Sequence, residues 1–341
     1  MLRQHVYNAF TVLLVALALT VGCHGRGKTV VRQYQPPKAP PLPPPARNVP
    51  LDQSLRSRAR QEILSAFASR DAIVRAHAVE AMQDTLGGEF APQITAALGD
   101  RDPVVRFAGS IAAGRLGLAD ATPTLLNLAS DPDASVRIGA KFALHKLGDT
   151  RFSHDFEQTY KDPVKRTRGD TALVLGLLAE PSANKILIPM LRDRDYTVRI
   201  QAAEALWRLR DERGLEPLIS ATISRYPDDQ MIALLALAQP KDHRAEQNFR
   251  GALTSDYDEV ALVAARCLGM LGSDEGYTVA QKGARSADAR QRFLAALAFG
   301  AIARPDAQDA LEKLLKDPTA DVRLAAATAI LQLHPVSVVP R

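Results

Sequence analysis

The chain is poor in the residues that usually staple or power a small domain. Among its 341 residues are only two cysteines, Cys23 and Cys267, a single tryptophan, Trp207, and 5% aromatics. Two cysteines so far apart imply no intramolecular disulfide framework, and Cys267 falls in a helix pattern at a position that takes a small apolar residue. Few aromatics beside 46% hydrophobic residues, rich in Ala and Leu, exclude one deep aromatic core and favour many thin helix contacts. Gly-x-Ser-x-Gly, a Gly-rich phosphate loop and a Cys–His pairing at useful spacing are all absent, so nucleophile and P-loop chemistries have nothing to build on. No strand alternation competes with the helical periodicity. A basic domain is missing too. Of 43 Lys and Arg, six (Arg3, Arg26, Lys28, Arg32, Lys38, Arg47) lie in the first 50 residues, which hold no acid, leaving 37 bases against all 38 acids from Leu51 onward. A nucleic-acid reader needs a basic face on the domain itself, so no nucleic-acid partner is expected, and the basic N-terminal stretch suits anionic lipid headgroups instead.

What is present begins with Arg3 and a nearly uninterrupted apolar run from Val6 to Val21, the layout of a secretory signal peptide over 1–22. The run ends in Leu19-Thr20-Val21-Gly22-Cys23, which resembles the bacterial lipobox, a resemblance that implies lipidation of the Cys23 sulfur. Thr20 stands where that pattern has an aliphatic residue, leaving ordinary cleavage or an uncleaved anchor as alternatives. The apolar stretch is shorter than the roughly 20 residues a spanning helix needs. Residues 23–50 then form a linker whose Pro36–Pro50 portion, PPKAPPLPPPARNVP, has eight prolines. Polyproline geometry at about 3.1 Å per residue makes it a stiff spacer of roughly 45 Å. The expected location is the bacterial cell envelope, with the membrane engaged through the lipid.

From 51 to 334 the sequence repeats. The pairs Val74-Arg75, Val105-Arg106, Val136-Arg137, Val198-Arg199 and Val322-Arg323 recur, with degenerate copies near Val164-Lys165, Met231, Val260 and Gln291-Arg292, at a mean spacing of 31. Small residues follow four positions later (Ala78, Gly109, Ala140, Ala202, Ala264, Ala295, Ala326) and aliphatic ones eleven later in most copies, so one helix face is apolar over about three turns. A second helix precedes each, marked by Ile63, Ile94, Leu125, Leu187, Phe249 and Leu311. Asp102-Pro103, Asp162-Pro163 and Asp317-Pro318 read as an N-cap followed by the first helical position, and Leu-Gly at 116–117, 147–148 and 271–272 as helix stops. One hairpin of about 31 residues cannot bury its apolar face alone, so about nine must stack into an elongated, curved all-α solenoid with a concave inner surface and an exposed C-terminal end, followed by a short tail over 335–341.

The pattern Asp-x-x-Val-Arg, a small residue four later and then Leu-Gly, resembles HEAT repeats, particularly the short subclass named for phycobilisome lyases. That family spans scaffolds, transport adaptors, lyases and a few metal enzymes, so the resemblance is specific for fold and poor for function. Asp71 with Arg75, Asp102 with Arg106, Asp133 with Arg137 and Asp195 with Arg199 are read as a structural ladder of caps and inter-repeat bonds. Some relatives bind iron through His-Glu pairs, but no such dipeptide occurs here. His77 and Glu80, three apart, are assigned to a solvated helix face, and no metal or other cofactor is expected. Positions lining the inner surface at the ends of the second helices (Arg115, Lys146 and Arg208, with Trp207 adjacent) are the candidate protein-binding residues, since Arg and Trp dominate interfaces. The expected function is a non-catalytic scaffold or assembly factor for envelope proteins. The alternative is an enzyme or accessory factor, lyase-like or metal-binding, with a ligand in the concavity.

Overall fold

The computed structural model describes residues 52–333. Cys23, the Pro-rich linker and the tail after Leu333 lie outside the described residues. Nine helical hairpins fill the described chain. Their first helices are α1 (Gln53–Phe67), α3 (Ala91–Ala97), α5 (Thr122–Leu128), α7 (Phe156–Thr159), α9 (Asn184–Met190), α11 (Leu215–Ala221), α13 (Glu246–Ala252), α15 (Tyr277–Gly283) and α17 (Gln308–Leu314). Their second helices are α2 (Ala72–Thr85), α4 (Pro103–Leu116), α6 (Ala134–Lys146), α8 (Lys165–Leu178), α10 (Tyr196–Arg208), α12 (Pro227–Ala238), α14 (Asp258–Met270), α16 (Ala289–Ile302) and α18 (Ala320–Leu333).

The second helices begin every 31 residues without exception, which corrects the register of two repeats. In the fourth, Thr167-Arg168 and not Val164-Lys165 occupies the Val-Arg position. In the sixth, Gln230 takes the arginine's place, its side chain reaching the Ser224 carbonyl six residues back as each Arg does. Gly117, Gly148 and Gly272 end their helices with positive φ, a conformation glycine adopts at no steric cost. Ala179 and Ala303 adopt it at the same place in repeats that lack the glycine. Where hairpins stack closely, a glycine again decides: a Cβ on Gly214 would lie 2.3 Å from the Ala203 carbonyl oxygen.

The stack closes on itself. α18 lies against both helices of the first hairpin, α1 and α2, as well as against its own neighbour α16. Across that seam Arg58 pairs with Glu312 at 3.0 Å, Arg323 with Glu62 at 2.8 Å, and His77 Nδ1 with Asp321 at 3.2 Å. The solenoid is therefore a ring, not the elongated open stack read from the sequence, and its last helix has no exposed end face. The reason lies in the second helices. Every residue from Val74 to Gln83 is buried, as is every residue from Phe107 to Gly114 and from Thr167 to Gly176. A helix covered all round must sit between neighbours on every side. Alanine and glycine on its flanks allow close approach, and the inward faces then meet across the ring instead of facing a cleft. Arg290 of α16, for example, reaches past α14 to Asp228 of α12 at 3.1 Å.

Candidate functional site

Each end of the ring carries a ladder of charged side chains. On the rim formed by the turns within hairpins, Asp71, Asp102, Asp133 and Asp195 accept backbone amides at the start of α2, α4, α6 and α10, as N-caps. The arginines one turn on reach elsewhere. Arg75 donates through Nε and Nη2 to both oxygens of Asp100, each at 2.8 Å, and through Nη1 to the carbonyls of Ser69 and Arg70. Arg106 repeats this with Asp131, Arg168 with Asp193, and Arg292 with Asp317. The bridging acid is thus the residue two before the next cap, not the cap itself. Among the described residues Arg137 and Arg199 hydrogen-bond the turn carbonyls of their own hairpins and no carboxylate of the next. Asp162 and Asp317, read from their Asp-Pro pairs as caps, occupy the upstream place instead, because the chain needs two more residues before the helix begins. Burial opposes ionisation of Asp193, but the hydrogen bonds from Arg168 and from the Asp195 amide outweigh it and hold the carboxyl below its usual range.

The opposite rim, made of the turns between hairpins, has a second ladder that the sequence reading missed. Asp149, Asp211 and Asp242 each cap a short turn and pair with the arginine two residues on. Arg244 continues to Glu212 of the preceding turn at 2.6 Å, and Arg304 joins Asp274 to Asp306. The signal was available as Asp-x-Arg at 149, 211 and 242, on the same 31-residue grid.

The four candidate binding residues do not form one surface. Trp207 is fully buried. Its Nε1 donates to the Leu237 carbonyl at 3.1 Å, and the Arg244 guanidinium stacks 4.7 Å from its ring, so it joins the fifth repeat to the sixth and cannot meet a partner. Arg208 is held by Glu204 at 2.8 Å. Arg115 is exposed and lies 3.8 Å from Asp84, and Lys146, at the end of α6, is exposed. Ring closure leaves no open concave face for them to line.

His77 and Glu80 also move from where the sequence put them. Both are about 1% exposed, inside the ring. Burial raises the Glu80 carboxyl well above its ordinary value, Asp84 adds to this, and Arg115 and Arg266 oppose it. Asp170, fully buried, is pushed up to about 7 by desolvation, against the hydrogen bond from Ser135 and the charge of Arg166. With Gln201 and Glu204 these groups give the ring a polar interior. A small depression there is lined by Leu173, Gln201, Glu204, Ala205 and Arg208. Among the described residues no group of three or more His, Cys, Asp or Glu could hold a metal ion. Cys267 is buried, its thiol pushed up to about 12 by desolvation.

These features define an α-solenoid of two-helix repeats closed into a ring. The family model for HEAT repeats matches residues 58–150, 155–238 and 246–332, and the chain belongs to the HEAT-repeat family. A sequence comparison with curated proteins finds no match. Among solved structures the chain is similar to the complex of CpcE and CpcF of phycocyanin lyase from Nostoc sp. PCC7120, at 20% identity over 70% of this chain and 96% of that one, with a TM-score of 0.44. It is also similar to human deoxyhypusine hydroxylase in complex with glycerol, at 18% identity over 82% of this chain and 97% of that one, with a TM-score of 0.37.

Proposed function

We propose that the protein is a protein-binding scaffold or assembly factor, held at the bacterial cell envelope by lipidation of Cys23 and offering its partners the rims and outer helices of the ring. The observation that carries this reading is the burial of the second helices on all sides, which leaves the accessible surface to the rims and the first helices. A closed ring whose neighbours are locked by two charged ladders presents such a surface with little conformational entropy to lose on binding. The N-terminal pattern ending at Cys23 supports the envelope location, with the Pro-rich stretch as spacer, and no helix among the described residues is long and apolar enough to cross a membrane.

The test is in-cell crosslinking of the tagged full-length protein followed by mass spectrometry. Reproducible links from rim or outer-helix lysines and acids to a defined envelope protein are expected. Absence of any protein partner, together with a stoichiometric metal or small molecule in the purified protein, would replace the scaffold by a ligand-holding factor or enzyme.

A further inference from the structure

We propose that the within-hairpin rim of repeats four to seven is a docking surface for an acidic polypeptide, an inference that rests on the scaffold reading and names its working face. Six large hydrophobic side chains are exposed among the described residues. Five of them, Val164, Tyr196, Ile223, Tyr226 and Tyr257, lie on this one rim in consecutive repeats, with Ile223 82% exposed. The hairpins there are neighbours in space: Arg194 of the fifth donates to the Pro163 carbonyl of the fourth, and Lys165 pairs with Asp195.

Folding does not account for these residues. Val164, Tyr226 and Tyr257 occupy the N-cap position that Asp71, Asp102, Asp133, Asp195 and Asp288 fill elsewhere, and none of the three makes a capping hydrogen bond. An aspartate there would stabilise its helix, so repeats four, six and seven give up a cap to display an apolar or aromatic side chain. At the same rim of repeats one to three stand the capping acids Asp71, Asp102 and Asp133, and no large apolar side chain is exposed.

Charge then selects the partner. Lys161, Arg192, Arg194 and Arg225 are exposed along the same stretch, and among the described residues none hydrogen-bonds a carboxylate, Arg194 acting on Asp193 through its charge alone. Arg70 and Arg101 are also exposed on this rim, in repeats one and two, but no large apolar side chain is exposed beside them. Arg225 instead lies 4.7 Å over the Tyr226 ring and bonds its hydroxyl. Tyrosine and arginine side by side are the composition of interface hot spots, and unpaired bases ask for an acidic counterpart. Asp256 is exposed beside Tyr257, and Asp258 next to it pairs with Lys282 of the eighth repeat at 2.8 Å, so the free bases, and with them the partner's acids, lie over repeats four to six.

The experiment uses the full-length protein in its own cells with photoreactive p-benzoylphenylalanine in place of Tyr226. The expected result is a discrete protein adduct whose crosslinked peptide is rich in Asp and Glu. Its yield should fall on the order of tenfold or more in the combined Arg192→Glu, Arg194→Glu and Arg225→Glu background, and should hold in an Arg70→Glu, Arg101→Glu control that reverses exposed bases on repeats one and two of the same rim. The milder Arg192→Gln, Arg225→Gln pair, which keeps the Arg194 bond to the Pro163 carbonyl, should give an intermediate loss with an unchanged unfolding temperature. An adduct indifferent to the charge reversals, or one to a peptide without acids, overturns the proposal. So does charge-dependent sedimentation of the purified protein with 3:1 phosphatidylcholine–phosphatidylglycerol vesicles through the same residues, which would give the surface to lipid. Adducts from a probe at Lys146 but not at Tyr226 would remove this rim while leaving the scaffold standing. Loss of every protein adduct from both sites would remove both.

Discussion

Replacing Asp170 with asparagine should make the ring more stable in neutral solution while leaving it nearly unchanged in acid. Asp170 sits on α8 inside the ring with no exposed surface, accepting the Ser135 hydroxyl of α6, and Arg166 Nε lies 3.9 Å away. Its carboxyl is raised from the usual 3.8 to about 7. A folded-state value above the unfolded one means the native protein holds a proton that the unfolded chain releases. The associated stability is fully present below about pH 4 and is lost as pH rises through about 7. The shift is about 3 units, and at about 1.4 kcal/mol per unit the wild type loses about 4 kcal/mol between pH 4 and pH 8. Asparagine keeps the acceptor for Ser135 and has no proton to lose. Urea unfolding of both proteins at pH 4.5, 6 and 8, followed by circular dichroism, should show the stability difference growing with pH in favour of the Asp170→Asn variant, towards about 4 kcal/mol at pH 8. A difference that does not change with pH would refute the reasoning, because it would place Asp170 in contact with water.

Other changes act on the joints between repeats. Trp207→Ala should cost about 3–5 kcal/mol in the same assay, as a fully buried side chain bridging two hairpins, and should leave partner crosslinking at Tyr226 intact in the protein that remains folded. Asp193→Ala strands the buried Arg168 guanidinium and should cost about 3 kcal/mol at neutral pH. Because Arg168 holds the Asp193 carboxyl below its normal range, this stability is present above the ordinary carboxylate range and is lost as pH falls, so the penalty of the substitution should shrink in acid, the reverse of the Asp170 behaviour. Cys267, buried with its thiol at about 12, should resist iodoacetamide at pH 8 in the native ring and react in denaturant, and modification in native buffer would show that the ring opens there.

The repeat was legible because its chemistry is local. Asp71, Asp102, Asp133 and Asp195 cap their own helices, and Gly117, Gly148 and Gly272 end theirs, so each signal acts within a few residues of where it is written. The bridge from each arginine was legible only in part. Arg75 meets Asp100, 25 residues on, and the cap at Asp102 stood two residues from the acid that matters. Closure was hidden because it depends on small rotations summed over nine hairpins. Glu62, Arg323, Arg58 and Glu312 look like ordinary surface charges until the first and last repeats are brought together. The same ignorance of closure misplaced the candidate site. An inner face that would be wet in an open solenoid is the interior of a ring, so His77 and Glu80 became buried groups, while Trp207 is buried between two neighbouring repeats. The uncapped Val164, Tyr226 and Tyr257 looked like mere degeneracy of the motif, though they are where the exposed apolar surface lies.

Ring closure is the claim on which the rest stands, and a distance between the first and last hairpins tests it most directly. Nitroxide labels at Ser57→Cys and Lys313→Cys, both exposed, in a full-length Cys23→Ser, Cys267→Ala background would flank the Arg58–Glu312 pair. Pulsed electron–electron resonance should give one narrow distribution within about two helix diameters, roughly 20–25 Å. An open stack of nine hairpins with neighbours about 8–10 Å apart would instead place the labels about 70 Å apart, and a distribution centred there would contradict the closed ring.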